Sequence, residues 1–271
     1  MLAIRDYDQA PYLVLATRNG LVKKTALGEY NSPRQAGVIA INFRETDDTE
    51  QGDELIGAEL VFPEDHILLV SREGQSIRFQ ADDTQLRPMG RATSGVTGMK
   101  FRNSDSLLSM SVIRAAQVQA EHEAGLDDES TPAAAPAPGP YFGVQPQYVF
   151  TITDRGFAKR TRITEYRLQS RGGLGIKAMK ADDERGHLVG AFIVVEGDEV
   201  LSIKESGQVT RSAIDDTLRP TGRDTKGVKF VGVRDGDRVA VVARSVDQAA
   251  EIEEEVGSEP EGEPGPEPET S

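Results

Sequence analysis

The sequence predicts an all-β protein, a propeller-like repeat of four-stranded blades with four blades present. The first observation is a unit of about 50 residues that recurs four times along the 271-residue chain. The second is that each unit contains short apolar stretches that alternate with polar residues and are rich in β-branched side chains, which is typical of strands. The third is that no long stretch has the 3.6-residue periodicity of an amphipathic helix.

Each unit begins with a predicted β-hairpin whose tight turn contains a glycine, at Gly20, Gly74, Gly156 and Gly207. A polar loop containing Arg and Gly follows each hairpin. After the loop we predict a third strand at residues 38–43, 96–101, 175–179 and 228–233. A fourth strand is predicted at residues 55–62, 107–113, 188–195 and 239–243.

These patterns place one domain over residues 1–245, with blades at about 3–63, 64–114, 147–197 and 198–245. Between the second and third blades, residues 115–146 form an acidic insert rich in Ala and Pro. We expect a flexible loop there, from about residue 121 onwards, without a core of its own. Residues 246–271 are mostly Glu, Pro and Gly, and we expect a disordered acidic tail.

The net charge of −14 is concentrated outside the four units. The tail from residue 246 contains ten acidic residues and no Lys or Arg, and residues 115–147 contain five acidic residues and no Lys or Arg. The units themselves are therefore close to neutral and contain all 31 basic residues. A strongly basic surface can be present on such a body although the pI of the whole chain is low.

Residues 169–175 read Gln-Ser-Arg-Gly-Gly-Leu-Gly, directly after a basic run. Glycines that allow positive φ angles can expose consecutive N–H groups as an anion site, and a neighbouring arginine suits a phosphate. The alternative is a glycine-rich turn with one solvated arginine. The local residues leave both interpretations open.

Basic residues also recur just after each hairpin turn and again in each loop. They are either ordinary solvated positions or, in a radial repeat, a basic stripe along one common edge, and we favour the stripe. Together with Gln169, Gly172, Gly173 and Gly175, the predicted DNA-binding residues are Lys23, Lys24, Arg78, Lys159, Arg160, Arg162 and Arg211 after the turns, and Arg34, Arg87, Arg91, Arg167, Arg171, Arg219, Arg223 and Lys226 in the loops.

Several functional classes find no support. Cysteine is absent, which fits a reducing compartment, and no His/Cys cluster has metal-ligand spacing, so we predict no metal site. No nucleophile–base pair is recognisable, and we predict no catalytic residue and no cofactor in this chain. No apolar run is long enough to span a bilayer, and the first residues do not resemble a signal peptide.

The repeated units and the segment 169–175 resemble the C-terminal domain of the DNA gyrase A protein, which is part of a type IIA topoisomerase. The hairpins Gly-Leu-Val-Lys-Lys and Gly-Phe-Ala-Lys-Arg contribute to this resemblance. Residues 86–96, Leu-Arg-Pro-Met-Gly-Arg-Ala-Thr-Ser-Gly-Val, resemble the actinobacterial form. The resemblance extends over residues 3–244, apart from the insert.

This resemblance implies a β-pinwheel, usually of six blades, in which neighbouring blades exchange a strand. Its basic rim wraps double-stranded DNA and presents it to the cleavage domain of gyrase A. The resemblance also implies that gyrase B is a partner, that the holoenzyme uses ATP and Mg²⁺, and that the location is cytoplasmic and nucleoid-associated. The family's wrapping box reads Gln-Arg-Arg-Gly-Gly-Lys/Arg-Gly.

Three departures from the family pattern modify this expectation. Ser170 and Leu174 replace basic residues of the box, so that only Arg171 remains. Four units are present instead of six, and the catalytic-tyrosine domain is missing, so we interpret the chain as a non-catalytic, N-terminally truncated fragment. We expect sequence-independent DNA binding without a full wrap. The alternatives are the corresponding domain of topoisomerase IV and a propeller that binds proteins.

Overall fold

The computed structural model describes residues 2–33, 36–43, 52–126 and 144–245. Within these ranges the chain is almost entirely β, with one α-helix, α1 (Ala115–Glu123), and two short 3-10 segments, Leu27–Tyr30 and Ile163–Glu165. The strands are β1 Tyr12–Thr17, β2 Leu21–Ala26, β3 Leu55–Val61, β4 His66–Ser71, β5 Gln75–Gln80, β6 Val96–Thr97, β7 Leu107–Ile113, β8 Tyr148–Thr153, β9 Phe157–Arg162, β10 Ile176–Lys177, β11 Leu188–Val194, β12 Glu199–Lys204, β13 Val209–Ala213, β14 Val228–Lys229 and β15 Val239–Ser245.

The strands form four antiparallel sheets, and the predicted all-β blade repeat is confirmed. The strand orders are β3-β1-β2-β6 in blade 1, β7-β4-β5-β10 in blade 2, β11-β8-β9-β14 in blade 3 and β15-β12-β13 in blade 4. In every blade the central hairpin is formed by the predicted first and second strands of one unit. The predicted fourth strand of that unit pairs with the first, as β4 pairs with β7.

Neighbouring blades exchange a strand. The third strand of units 2, 3 and 4 pairs with the hairpin of the blade before it: β6 with β2, β10 with β5, and β14 with β9. Blade 4 differs from the prediction, because it has three strands among the described residues instead of four. By the same exchange its outer strand would come from a following unit, and the described residues end with β15 of unit 4.

The predicted third strand of unit 1, residues 38–43, is not a strand. If unit 1 followed the strand exchange of the other units, this segment would pair with the hairpin of a blade that precedes blade 1. Instead, Ala40 and Ile41 pack against Leu13 and Leu15 on the free face of blade 1. The strand prediction for this segment is therefore wrong, because strand pairing needs a partner strand and none is available to residues 38–43 among the described residues.

The core lies between consecutive blades, because the central hairpins of blades 1, 2 and 3 are buried on both faces. In β4, Ile67 and Leu69 pack with blade 1, whereas Leu68 and Val70 pack with blade 3. Alternate residues of a strand point to opposite faces, so a strand that lies between two neighbouring blades buries its side chains on both faces. Burial of each such Val, Leu or Ile contributes about 1.5–3 kcal/mol.

The blades have an inner and an outer edge. The strands β3, β7, β11 and β15 of successive blades contact one another, which defines the inner edge. The opposite edge of blades 1, 2 and 3 is formed by the loop and third strand of the following unit. We call this edge the outer rim and define it as residues 87–100, 167–180 and 219–232.

The hairpin glycines permit the strand exchange. Gly74 has a φ of 77°, and a Cβ atom at this position would lie 2.4 Å from the carbonyl oxygen of Met179 in the following unit. The N–H groups of Ala178 and Met179 donate to the carbonyl of Gly74 at 2.8 and 3.3 Å. The turn glycine therefore serves both the hairpin and the close approach of the exchanged segment.

The first part of the insert is ordered, contrary to our expectation. Helix α1 follows β7 directly, and the side chains of Glu121 and Leu126 are only 4% exposed. Their contacts with buried arginines at the junction of blades 2 and 3 explain the order. The rest of the predicted flexible insert, residues 127–143, and the predicted tail lie outside the described residues. Nowhere in the described ranges does a helix reach the length and hydropathy of a membrane span.

Candidate nucleic-acid interface

Most of the basic residues that follow the hairpin turns are buried, so the predicted exposed stripe is wrong for them. They point between blades, where the next unit covers them, instead of into solvent. The exposed fraction is 0% for Lys23, Lys24 and Arg160, 1% for Lys159, 6% for Arg78 and 7% for Arg162. Arg211 alone in this group is exposed, and it pairs with Glu199 inside blade 4.

The buried cations join one unit to the next. Lys24 donates to the carbonyl of Ala81 at 2.5 Å and pairs with Asp83 at 2.9 Å. At the equivalent position of blade 3, Arg160 donates to the carbonyls of Leu218 and Asp215 at 2.5 and 3.1 Å. Its other nitrogen pairs with Glu196, and its guanidinium lies 4.8 Å from the ring centre of Tyr148.

Arg78 of blade 2 has the same role and is part of a buried charged cluster. Its guanidinium donates to the carbonyls of Ile163 and Tyr166 at 3.0 and 3.2 Å, and to His66 Nδ1 at 2.7 Å. Burial, followed by the nearby Arg78, lowers the pKa of His66 to about 4, so His66 is neutral at pH 7 and its Nδ1 accepts the bond.

Helix α1 places Glu121 beside this cluster. Burial raises the pKa of Glu121 to about 7, against the opposing effects of the Gln147 amide and of Arg162 and Arg78. The N–H of Gln147 donates to Glu121 at 3.2 Å, and Arg162 donates to the carbonyl of Leu126. These cations thus anchor the helix and are not available to a phosphate.

The glycine-rich segment 169–175 does not form an open anion site at the amides of Gln169, Arg171 and Gly172. The N–H of Gln169 donates to the carbonyl of Arg78 at 2.8 Å, and that of Gly172 to the carbonyl of Gly98 at 2.6 Å. The N–H of Arg171 donates to Gln85 Oε1 at 3.1 Å. These amides bind the segment to the preceding units, so the anion-site interpretation is wrong for them.

The glycines of this segment have different roles. Gly175 has a φ of 73°, and a Cβ atom there would lie 2.2 Å from the carbonyl oxygen of Ser76. Gly95 and Gly227 make the same close approach in the other two rim loops, so Gly175 belongs to the repeat. Gly172 also has a positive φ, whereas a Cβ on Gly173 would meet only ordinary contacts from 3.6 Å.

Three equivalent loop arginines each join the loop of one unit to the segment that follows the loop in the preceding unit. Arg91 donates to the carbonyl of Ile39 at 3.2 Å, Arg171 to that of Thr97 at 2.9 Å and Arg223 to that of Lys177 at 3.0 Å. All three side chains are half-buried. Their first role is therefore structural, and they bring positive charge to the rim only through their exposed parts.

A second set of three equivalent loop arginines is exposed. Arg87, Arg167 and Arg219 each directly precede the residue that bridges to Lys24, Arg78 or Arg160 of the previous unit. No hydrogen bond or ion pair joins their side chains to any residue in the described part of the chain. They therefore keep their full donor capacity for an external anion, and their contact with DNA stays a prediction.

Sequence reasoning missed four exposed rim lysines. Lys100 and Lys180 follow Met99 and Met179, and they too are without a side-chain partner among the described residues. The signal was the dipeptide Met-Lys, which recurs at the same point of units 2 and 3. Lys177 and Lys229 occupy equivalent places on β10 and β14, where Lys177 lies 3.7 Å from Asp224 and Lys229 donates to the Arg155 carbonyl at 2.9 Å.

Two predicted residues remain. Lys226 is half-buried in the rim and pairs with Asp182 at 2.5 Å. Arg34 lies outside the described residues. Within the described ranges, no group of three or more His, Asp or Glu side chains could hold a metal ion.

The interface that the structure supports is therefore a row of exposed cations along the outer rim. We call Arg87, Lys100, Arg167, Lys180 and Arg219 the free rim cations. Each of the three outer edges has at least one of them. They have the same sign and share one edge, and the rim segments around them also have a net positive charge, which suits an extended polyanion more than a compact ligand.

Comparisons with known proteins agree with this architecture. The family model "DNA gyrase C-terminal domain, beta-propeller" matches residues 11–61, 65–114, 147–194 and 205–244. A solved structure of a DNA gyrase A C-terminal domain superposes with a TM-score of 0.66 at 22% identity, over 90% of this chain and 68% of that chain. The C-terminal domain of a DNA topoisomerase IV superposes with a TM-score of 0.71 at 20% identity, over 94% and 69%. At these identities the superpositions support the fold alone.

Sequence relatives are much more similar. The chain is 73% identical over 91% of its length to the DNA gyrase A protein of a Nocardioides species, and 52% identical over 93% to that of Streptomyces coelicolor. It covers 26% of the length of each of these relatives. Four matched segments make up most of the chain, and they coincide with the four blades. The chain therefore belongs to the DNA gyrase A C-terminal domain family.

Proposed function

We propose that this chain binds double-stranded DNA along its outer rim, without sequence preference, as the DNA-binding part of a gyrase A protein. The observation that carries the proposal is the row of free rim cations, which recurs on the outer edges of blades 1, 2 and 3. Arginine and lysine side chains on such an edge contact phosphates and not base edges, so the sequence of the DNA has little influence.

The rim also suits a bent duplex. A smooth bend of 40–90° over 20–30 bp costs on the order of 1–6 kcal/mol, so several phosphate contacts are needed to hold it. The free rim cations supply five such contacts at most, and the box has one arginine, Arg171, that is largely used inside the protein. We therefore propose that this chain bends DNA without completing a full wrap.

In a gyrase, this bending would deliver DNA to the cleavage domain of gyrase A, while gyrase B hydrolyses ATP with Mg²⁺. The identities of 73% and 52% to gyrase A sequences favour gyrase over topoisomerase IV as the parent enzyme. Protein binding by the rim is the competing interpretation, and a protein interface is usually enriched in aromatic residues. Within the outer rim as defined, the one aromatic residue is Phe230, and it packs against the core of blade 3.

Anisotropy of a labelled 30-bp duplex, measured in rising salt, tests the proposal. Five phosphate contacts predict a slope of about −4.5 for log K against log salt. An affinity that does not change with salt would contradict DNA binding through these cations. A second experiment tests bending. A nicked plasmid is sealed by ligase while the chain is bound, and a chiral bend then changes the linking number of the sealed product.

A further inference from the structure

We propose that two lysine–glutamate pairs, buried Lys23 with Glu29 and buried Lys159 with Glu165, are positioning residues that fix the DNA-facing loops of the outer rim. This inference rests on the proposed function and adds residues that do not touch DNA. We call each pair, together with the backbone it holds, a clamp.

The clamp of blade 3 holds both polar groups of one residue in the unit 4 loop. The N–H of Arg223 donates to Glu165 Oε2 at 3.0 Å. Lys159 Nζ donates to the carbonyl of Arg223 and, at 2.7 Å, to that of Gly222. With the N–H and the C=O of Arg223 both bonded to blade 3, this part of the loop cannot rotate without breaking two charge-assisted bonds.

The clamp of blade 1 repeats this arrangement on the unit 2 loop. The N–H of Arg91 donates to Glu29 Oε2 at 3.1 Å, and Lys23 Nζ donates to the carbonyl of Arg91. Lys23 also donates to the carbonyl of Ala40 at 2.5 Å. The bonds to the N–H and to the C=O of the loop arginine thus recur in two blades at equivalent positions.

Blade 2 shows that a clamp is not needed to pack one blade on another. Its residue at the lysine position is Ile77, which is fully buried in the core. The matching amide, that of Arg171, is held by Gln85 at 3.1 Å. A buried lysine is costly by comparison with isoleucine, and burial lowers the pKa of both Lys23 and Lys159 to about 8.

The two clamped loops share a feature that the third lacks. They read Leu-Arg-Pro-X-Gly-Arg, whereas the third loop has no proline at this point. In both clamped loops an exposed arginine, Arg87 or Arg219, lies four residues before the clamped Arg91 or Arg223. A fixed loop backbone keeps such an arginine at a constant distance from the phosphate it contacts, which reduces the entropy lost on binding. The clamps therefore preorganise two of the three rim loops.

Three substitutions in blade 3 separate positioning from charge. E165A removes the acceptor for the Arg223 amide together with a negative charge, whereas E165Q removes only the charge and keeps an acceptor oxygen. D183A removes one negative charge at an exposed site in the same unit. Simple electrostatics predicts that all three variants bind DNA as tightly as wild type or more tightly, because each loses a charge that repels phosphate.

The clamp predicts the opposite sign for E165A alone. We expect about tenfold weaker binding to a 30-bp duplex at 0.1 M salt and a salt slope reduced by about 0.9, equivalent to one phosphate contact. Hydrogen exchange of the Arg223 amide is expected to accelerate in E165A and not in E165Q. Equal affinity of E165A and E165Q, with unchanged exchange at Arg223, would overturn the clamp.

Two further measurements keep the outcomes distinct. If E165A is unfolded at the assay temperature, E29A and E29Q test the equivalent clamp of blade 1 with the same expected signs. If wild type itself binds no DNA, the proposed function fails. Wild-type binding that E165A and E29A both retain refutes the clamp while leaving the proposed function standing.

Discussion

The free rim arginines offer the most quantitative prediction. We consider the triple variant R87A/R167A/R219A, which removes one equivalent, exposed side chain from each outer edge of blades 1, 2 and 3. If each arginine contacts one phosphate, the slope of log K against log salt falls in magnitude by about 2.7. If the two proteins bind equally at 1 M salt, each lost contact lowers the binding constant at 0.1 M salt by about 0.9 decade. The triple variant should therefore bind about 500-fold more weakly than wild type at 0.1 M salt.

Stability is expected to stay almost unchanged, within about 0.5 kcal/mol, because exposed side chains without partners among the described residues are replaced. The assay is fluorescence anisotropy of a 30-bp duplex at five or more salt concentrations, together with urea unfolding. The matched control is R5A/R72A/R234A, which removes the same charge from exposed arginines outside the outer rim. Equal losses in the two triple variants would refute the reasoning, because binding would then follow net charge and not the rim.

Three other predictions concern the buried residues. R160M is expected to lower the free energy of unfolding by about 3 kcal/mol in a urea titration, because Glu196 and two carbonyls lose their partner. A variant with full stability and weaker DNA binding would contradict the structural role of Arg160. G175A is expected to lower the free energy of unfolding by about 2 kcal/mol or more, because Gly175 has a positive φ and a Cβ there would lie 2.2 Å from the Ser76 carbonyl oxygen. The control G173A should change thermal unfolding little, and equal effects of the two variants would exclude this clash as the cause. The pKa of Lys159 is lowered to about 8 in the folded state, so as the pH rises the folded state loses this proton at a lower pH than the unfolded state does. The stability of wild type relative to K159M should therefore rise with pH from about 8 to 10.5, and a flat difference in urea unfolding would argue against a buried ammonium.

The strand pattern predicted the blades well because it depends on local residues. The middle strands β4 and β8 are buried along their whole length and mostly apolar, and the turn glycines mark each hairpin directly. The exchange of β6, β10 and β14 has no local signal, since each is paired for only two residues with a strand of another unit. It entered only through the family resemblance.

The prediction of the site failed at the buried cations for a related reason. Recurrence of Lys24, Arg78 and Arg160 at one position correctly indicated a common role, but a repeat places equivalent residues at a junction between units as readily as on a rim. Their carbonyl partners lie 55 to 88 residues away in the sequence, so burial was not visible locally. Among the loop arginines, Arg87, Arg167 and Arg219 are exposed because loops lie at the surface, and their contact with DNA stays a prediction.

The central claim is that DNA lies along the outer rim and not against the cations that follow the hairpin turns. Lysine acylation, read out by mass spectrometry with and without a 30-bp duplex, tests it most directly. We predict that DNA protects Lys100, Lys177, Lys180 and Lys229, which react in the free protein, and that Lys23, Lys24 and Lys159 react poorly in both states. High reactivity of Lys23, Lys24 and Lys159 that DNA suppresses, with the four rim lysines unaffected, would contradict the account.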